Sequence, residues 1–261
     1  MRIFQVDSFT NKPFTGNPAG VCILSEDIPD SEMLDIAKEM NLPETAFLQE
    51  NGTGYNLRWF TSHAEIELCG HATLASAHIL WEAGYMSPDE IVRFDTLSGE
   101  LTAKKNGEWI DLDFPAEYET NIDAPVEISD ALGVQPIYVG KNKFDYIVEV
   151  ESEEIVRNIQ PNFDLLKKVP SRGIIVTSRA DTDKYDFVSR FFAPAIGVDE
   201  DPVTGSAHCC LGPYWESRLN KSRFDALQLS ERGGVVRVDV KSDRVILSGQ
   251  AVTVIEGEII L

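Results

Sequence analysis

Three side chains in the sequence are of the types that move protons in enzymes. Glu44 precedes a short apolar segment, His71 begins a segment of helical length, and Asp201 lies just ahead of a second such segment. A carboxylate or an imidazole takes a proton from carbon and returns it when it lies within hydrogen-bond reach of the substrate. Taken alone, Glu44 also fits a solvated carboxylate, and Asp201 fits a loop residue that hydrogen-bonds its own backbone. Together the three predict acid–base catalysis, provided that the fold positions them around one substrate.

Two glycines mark the starts of the two helical segments, Gly70 in the first half of the chain and Gly205 in the second. The first N–H groups of a helix have no acceptor within the helix, and they carry the positive end of its dipole. Such helix starts can bind a carboxylate. The pair therefore predicts a binding site for a small carboxylic acid. The alternative is that the glycines only permit close packing of helix and strand.

The cysteines and histidines do not follow a known metal-binding pattern. Cys69 and His71 give C-x-H, and His208 with Cys209 and Cys210 gives H-C-C, neither of which is typical of zinc sites. The glycine-rich signatures of nucleotide binding are also missing. We therefore expect no metal and no cofactor, and we expect reduced, buried thiols.

The order of motifs is repeated along the chain. An Arg-aromatic-Phe triplet begins at Arg58 and again at Arg190, and each triplet is followed by one of the two glycine-led segments. In both copies another glycine, Gly99 or Gly234, follows 29 residues after the helix-start glycine and precedes a strand, a turn and a strand. Matching order and spacing predict a tandem duplication.

The duplication predicts the domain organisation and the fold class. We place the boundary in a polar segment flanked by prolines, which gives an N-terminal half of residues 1–116 and a C-terminal half of residues 117–261, with the last strand able to pack back on the first domain. Both glycine-led helices are apolar on nearly every face, as expected for a helix enclosed by a curled sheet, and Pro213 predicts a kink or break in the second. Alternating apolar residues flank hairpin signals such as Asn106-Gly107. The expected fold is α+β, with two pseudo-symmetric domains that each form a curled, mostly antiparallel sheet around a central helix.

The charge balance excludes some classes of partner. The sequence has 23 Lys and Arg against 43 Asp and Glu, a net charge of −20, so a nucleic-acid partner is not expected. No stretch has the length and apolar character of a membrane span, and the N-terminus lacks the features of a signal peptide. We therefore expect a cytoplasmic protein that contacts neither nucleic acid nor membrane.

Four motifs carry a family resemblance. They are Asn17-Pro18-Ala19-Gly20, Glu44-Thr45-Ala46-Phe47, Gly70-His71-Ala72-Thr73 and Asp201-Pro202-Val203-Thr204-Gly205-Ser206-Ala207. In this order they resemble the phenazine-biosynthesis PhzF-like isomerases, and the resemblance covers essentially the whole chain. It implies the diaminopimelate-epimerase-like fold, with an active site between two similar domains.

The resemblance also implies roles for individual residues. Glu44 corresponds to the family's catalytic acid and base, and His71, Asp201 and Ser206 correspond to the groups that support it. The backbones of Gly70 and Gly205 would bind the substrate carboxylate, with Asn17 also at the binding site. The implied reaction is a proton shift on a small, cyclic carboxylic acid, carried out by a homodimer without a cofactor.

Two other functions stay open at this point. Related epimerases and racemases use two opposed cysteines, and Cys69 occupies the position of the first. The second half has Thr204 at the matching place, so a two-thiol reaction is disfavoured. A protein that binds a small acid without turnover is the third possibility, although all the matched catalytic residues are present.

Overall fold

Residues 1–260, which the computed structural model describes, form eighteen β-strands and six α-helices. The helices are α1 (Asp30–Met40), α2 (Gly70–Glu82), α3 (Val126–Leu132), α4 (Glu153–Asn158), α5 (Phe163–Leu166) and α6 (Gly205–Leu219). The strands are β1 (Arg2–Ser8), β2 (Asn17–Leu24), β3 (Glu44–Glu50), β4 (Tyr55–Phe60), β5 (Glu65–Ile66), β6 (Val92–Thr96), β7 (Gly99–Asn106), β8 (Trp109–Pro115), β9 (Thr120–Asn121), β10 (Tyr138–Lys141), β11 (Asp145–Glu149), β12 (Gly173–Arg179), β13 (Phe187–Ala193), β14 (Val198–Asp201), β15 (Arg223–Gln228), β16 (Gly234–Lys241), β17 (Arg244–Gly249) and β18 (Ala251–Glu258).

The chain divides into two compact units. The first unit comprises Met1–Phe114 together with the segment from Ser248 onward, and the second comprises Pro115–Leu247. In the first unit β18 pairs antiparallel with β1. The origin of the two units by duplication, with halves at residues 1–116 and 117–261, stays a prediction.

The two units repeat one pattern of strand pairing. In the first unit β1 and β2 are antiparallel, β2 and β3 parallel, β3 and β4 antiparallel, β4 and β6 parallel, and β6 and β7 antiparallel. In the second unit β10, β11, β12, β13, β15 and β16 follow one another with the same alternation of sense. The predicted fold class is therefore confirmed, with two pseudo-symmetric units whose sheets are mostly antiparallel.

The repeated arginines make matching contacts. Arg58 Nε and Nη2 donate to the two carboxylate oxygens of Glu65, both at 2.7 Å. Arg190 Nε and Nη2 donate to those of Glu200 at 2.7 and 2.8 Å. Each guanidinium also lies over the ring of the phenylalanine two residues further on. The arginine of each triplet therefore forms a two-pronged salt bridge that links two neighbouring strands, β4 and β5 in the first unit and β13 and β14 in the second.

The two glycine-led helices are the most buried helices of their units. In α2 ten of thirteen residues are buried, and the helix packs against β1, β2, β3 and β18. In α6 Pro213 is buried and the helix continues through it to Leu219, so the predicted break is wrong, and the alternative of a kink stays a prediction. Pro213 has no N–H for the carbonyl of Cys209, four residues earlier, and the backbone N–H of Glu117 donates to that carbonyl instead at 3.0 Å. The lost helical bond is therefore replaced, and the helix survives.

The loop between β1 and β2 is held in one shape by short contacts. The Phe14 N–H donates to the buried Asp7 carboxylate at 2.6 Å, and the hydroxyls of Thr10 and Thr15 are 2.5 Å apart. Phe14 has a φ of 68°, which is rare for a bulky side chain. The loop ends at Asn17, so its shape fixes where the Asn17 side chain lies.

We expect Gly16→Ala to destabilise the first unit more than a matched glycine substitution. Gly16 has a φ of +69°, and an added Cβ would lie 2.2 Å from the carbonyl oxygen of Ser8. Gly52 has a φ of +85° but nothing within 4 Å of the added Cβ. In urea unfolding, Gly52→Ala should cost about 1–2 kcal/mol from backbone strain alone. Gly16→Ala should cost a further ~1–3 kcal/mol from the clash, and equal costs would contradict this account.

No helix within residues 1–260 is both long and apolar enough to cross a membrane. All four cysteines, Cys22, Cys69, Cys209 and Cys210, are buried and form no disulfide. Burial raises the pKa of the Cys22 thiol to about 12, as expected for a packed, unreactive side chain. The predicted cytoplasmic location and homodimer stay predictions.

Candidate active site

Strand pairing brings two of the predicted residues to one end of the sheet in the first unit. Asn17 opens β2 opposite Ser8, the last residue of β1. Glu44 opens β3 and pairs with Ala19 of the parallel β2. Asn17 lies two residues before Ala19 on β2, so its side chain and that of Glu44 lie on the same face of the sheet. Helix α2 then begins at Gly70 and contributes His71.

Glu44, His71 and Asn17 lie side by side, with His71 between the other two. His71 Nε2 lies 3.1 Å from Glu44 Oε2. On the other side of the ring the Asn17 Nδ2 group donates to His71 Nδ1 at 3.2 Å. The Ser8 hydroxyl donates to the His71 carbonyl oxygen at 2.8 Å, so both the ring and the backbone of His71 are held. With Nδ1 accepting from Asn17, the proton of the neutral imidazole lies on Nε2 and faces Glu44.

The site is buried, with a partial opening at Glu44. The side chain of His71 is 7% exposed and that of Glu44 is 16% exposed. Burial lowers the pKa of His71, whereas the Cys69 sulfur and the Glu44 carboxylate raise it, and the net direction is upward. Glu44 Oε2 is close to His71 but accepts no well-aligned hydrogen bond from residues 1–260. Catalytic contacts are often loose before the substrate binds, so the partly exposed Glu44 carboxylate has capacity to accept a further hydrogen bond.

Cys69 is the residue that precedes α2, and its thiol adjoins the group. Cys69 Sγ lies 3.5 Å from His71 Nδ1 and 4.0 Å from Nε2. Burial raises the pKa of the Cys69 thiol, and His71 only partly offsets this. The thiol therefore stays protonated near neutral pH. The Cys69 side chain makes no capping hydrogen bond to the start of the helix.

The second unit holds its own set of predicted residues around the start of α6. The hydroxyl of Thr204, the residue that precedes the helix, donates to Asp201 Oδ2 at 2.5 Å instead of capping the helix. Gln228 fixes this loop, because its Oε1 accepts from the Thr204 N–H at 2.9 Å and its Nε2 donates to the Asp201 carbonyl at 2.7 Å. Gly205 is buried and Ser206 is half-buried. The helix start thus keeps backbone N–H groups that no capping side chain occupies.

Strand register identifies the counterpart of Glu44 in the second unit. Arg58 pairs with the third residue after Glu44, and Arg190 pairs with the third residue after Gly173. Gly173 therefore occupies the position of Glu44. A Cβ on Gly173 would lie 2.3 Å from the ring of Phe191, so a side chain there requires that ring to move. The carboxylate suited to acid–base work is present in the first unit, and its counterpart in the second is a glycine covered by an aromatic ring.

The histidine and cysteines of the second unit lie away from Glu44 in sequence and are packed on α6. His208 is fully buried there, and its Nδ1–H donates to the Thr204 carbonyl at 2.8 Å. Burial raises the pKa of Cys209 and of Cys210 to about 12. The metal-ligand types that do come together are Glu44, Cys69 and His71, whose donor atoms lie within 4.8 Å of one another.

His208 should make the second unit sensitive to acid. Burial lowers the pKa of His208 to about 4, and its Nε2 has no hydrogen-bond partner within the described chain. The unfolded chain therefore takes up this proton first, and stability that is complete above pH 6.5 is lost as the pH falls toward 4. The loss should reach about 3 kcal/mol. Urea unfolding between pH 7 and 4 should show a smaller loss for His208→Gln, and parallel curves for the two proteins would contradict this.

Sequence reasoning missed two positioning residues. Ser8 holds the His71 backbone, and Gln228 holds the loop between Asp201 and Thr204. Ser8 is the last residue of the apolar first strand, and nothing else in the local sequence marks it. Gln228 ends β15, 24 residues after Thr204, and nothing in the local sequence marks it.

Comparison with known proteins gives one consistent family. A family model described as phenazine biosynthesis-like protein matches residues 6–257. An uncharacterized isomerase of Halalkalibacterium halodurans is 55% identical over 260 residues, covering 99% of this chain and 98% of the relative. A crystal structure of a PhzF family phenazine biosynthesis protein from Enterococcus faecalis aligns with a TM-score of 0.96 at 42% identity, covering 100% of this chain and 99% of the other. A probable proline racemase from Agrobacterium radiobacter shares the fold, with a TM-score of 0.66 at 12% identity, covering 100% and 93% of the two chains.

Proposed function

Because the chain belongs to the phenazine biosynthesis-like protein family, we propose that it is an isomerase that shifts a proton on a small, cyclic carboxylic acid without a cofactor. Glu44 is the general acid and base. The observation that carries this proposal is the buried Glu44–His71–Asn17 group, in which the Glu44 side chain is partly exposed and its Oε2, beside His71, has no aligned hydrogen bond. The naming of a 55%-identical relative as an isomerase supports the reaction class.

The proton shift needs only groups that the chain supplies. The Glu44 carboxylate takes a proton from a carbon of the substrate, and the electron pair of the broken C–H bond moves into the adjoining unsaturated system. The protonated Glu44 then gives the proton to another carbon, and the double bond moves with it. Composition is unchanged and no oxidant is needed. One side chain acts first as base and then as acid.

His71 and Asn17 position the carboxylate. The His71 ring is held at Nδ1 by Asn17 and at its backbone by Ser8, so Nε2 faces Glu44 from a fixed direction. A held imidazole limits the rotamers of the carboxylate and keeps it aimed at one place. The start of α2, from Gly70 onward, adds helix-start N–H groups of the kind that bind a carboxylate.

The second unit offers a matching set for the substrate. Asp201 is held by Thr204, and Gly205 and Ser206 open α6 without a side-chain cap. The family resemblance predicts that Asp201 manages protons on the substrate's polar groups and that Gly205 and Ser206 bind it. That these residues share one substrate with Glu44 stays a prediction, as does the homodimer.

Racemisation through Cys69 is the second candidate, since the thiol adjoins His71. Two observations weigh against it. The thiol has a raised pKa, and its counterpart in the second unit is Thr204, which has no thiol. A protein that binds a small acid without turnover is the third candidate.

A panel of small unsaturated and saturated cyclic carboxylic acids tests the proposal. Each acid is incubated with the protein and the mixture is separated by chromatography with mass detection. The proposal expects at least one unsaturated acid to give a new compound of the same mass. Conversion of acids only into their mirror images would favour the racemase, and binding without conversion of any acid would favour the third candidate.

A further inference from the structure

We propose that Glu44, Cys69 and His71 form a three-ligand site that captures Zn²⁺ and that the bound ion inhibits the enzyme. The three side chains offer a carboxylate oxygen, a thiol sulfur and an imidazole nitrogen within 4.8 Å of one another. They are the residue types that bind zinc in proteins, and a site of three protein ligands leaves a fourth position open. The ion is an inhibitor here, not a resident cofactor.

One of the distances between donor atoms is already close to that of a tetrahedral zinc site. With ordinary zinc–ligand bond lengths, a tetrahedral site separates nitrogen from oxygen by about 3.3 Å and sulfur from nitrogen by about 3.6 Å. His71 Nε2 lies 3.1 Å from Glu44 Oε2, and Cys69 Sγ lies 4.0 Å from the same nitrogen. The nitrogen and the oxygen are therefore already near their tetrahedral separation. The Cys69 sulfur lies nearer Nδ1, at 3.5 Å, so rotation of the Cys69 side chain must carry it toward the Nε2 side of the ring.

Two features of the surrounding side chains favour a bound cation: a carboxylate oxygen without a hydrogen bond, and an amide beside the histidine ring. Glu44 Oε2 is buried and lacks an aligned hydrogen bond, so a cation would satisfy it. When Nε2 binds the metal, Nδ1 carries the ring proton, and the neighbouring Asn17 amide, turned so that its oxygen faces Nδ1, accepts it. Zinc-bound histidines usually have such a partner on the other nitrogen.

The charge and the chemical type of the three ligands favour Zn²⁺ over other divalent cations. Zn²⁺ with one thiolate and one carboxylate is electrically neutral, which suits a site as buried as this one. Binding releases the thiol proton of Cys69 and the second ring proton of any His71 imidazolium to solvent, and no electron is transferred. Sulfur and imidazole ligands favour Zn²⁺ over Mg²⁺ and Ca²⁺, which prefer oxygen.

Inhibition follows from the identity of one ligand, and this part rests on the proposed function. A Glu44 oxygen bound to zinc cannot accept a proton from carbon. Zn²⁺ should therefore suppress the isomerisation of the panel acid that the wild type converts, and Mg²⁺ should not.

Titration with Co²⁺, a spectroscopic substitute for Zn²⁺, tests the site without any turnover. A Co²⁺–thiolate bond gives a charge-transfer absorption band in the near ultraviolet. The band is expected for wild type and for Cys22→Ser, a control at another buried thiol of the same unit, and Zn²⁺ should abolish it. Cys69→Ser should lack the band, and Glu44→Gln should keep it with a Kd raised at least about 10-fold.

Absence of the band in wild type would overturn the proposal, as would an equal band in Cys69→Ser or an unchanged Kd in Glu44→Gln. The Glu44→Gln arm covers the case in which Cys69→Ser does not fold. Because the readout is metal binding, failure of the zinc site and failure of the proposed isomerase activity give different results.

Discussion

Glu44→Gln is expected to lower the rate of isomerisation by about 10²–10⁴-fold, the range that a positioned general acid–base group contributes. The amide keeps the size of the side chain and its place beside His71 Nε2, but it cannot take a proton from carbon. The folded structure should be retained, because Glu44 is partly exposed and its neighbours are held by bonds that do not involve it. Turnover is measured on the panel acid that the wild type converts.

Glu50→Gln is the matched control for this substitution. Glu50 ends the same strand, β3, and is exposed. The Glu50→Gln variant should retain the wild-type rate. In urea unfolding, the free energies of unfolding of both variants should agree with that of wild type within about 0.5 kcal/mol. A Glu44→Gln enzyme with more than about a tenth of the wild-type rate would contradict a role as general base.

Glu200→Ala is expected to lower the free energy of unfolding by about 3 kcal/mol, because it leaves a charged guanidinium in the interior without its counter-ion. The side chain of Arg190 is only 10% exposed, and Glu200 accepts two of its hydrogen bonds. The main-chain oxygen of Ile159 also accepts from Arg190, but a carbonyl does not neutralise a charge.

Glu65→Ala in the first unit is the pseudo-symmetric control and should cost at most about 1 kcal/mol. The side chain of Arg58 is 31% exposed, and Asp30 still pairs with it at 2.8 Å. Urea unfolding of both variants measures the difference. Equal losses would show that burial of the arginine does not set the cost.

The repeated motifs can be recognised in the sequence because both halves use the same local structures. An arginine that bridges two strands, a glycine at a helix start and a buried helix each leave a recognisable residue pattern. Arg58 and Arg190 could therefore be matched from the residue pattern alone, and their contacts to Glu65 and Glu200 confirm the match. The same patterns predicted the α+β class and the central helices.

Other features could not be predicted because they depend on register or on distant contacts. That Gly173 is the counterpart of Glu44 follows only from the pairing of β3 and β12 with their neighbours, since the two positions share no residue type. The break predicted at Pro213 was wrong because Glu117, nearly one hundred residues away in sequence, supplies the missing donor. Gln228 likewise acts across a long stretch of chain on Thr204.

The claim that Glu44 carries the moving proton is tested most directly in D₂O. The acid that the wild type isomerises is incubated there with wild type, Glu44→Gln and Cys69→Ala, and deuterium bound to carbon is measured by NMR and mass spectrometry. We predict deuterium incorporation with wild type and with Cys69→Ala, and none above background with Glu44→Gln. Incorporation that persists in Glu44→Gln and disappears in Cys69→Ala would contradict the account and assign the proton transfer to the thiol.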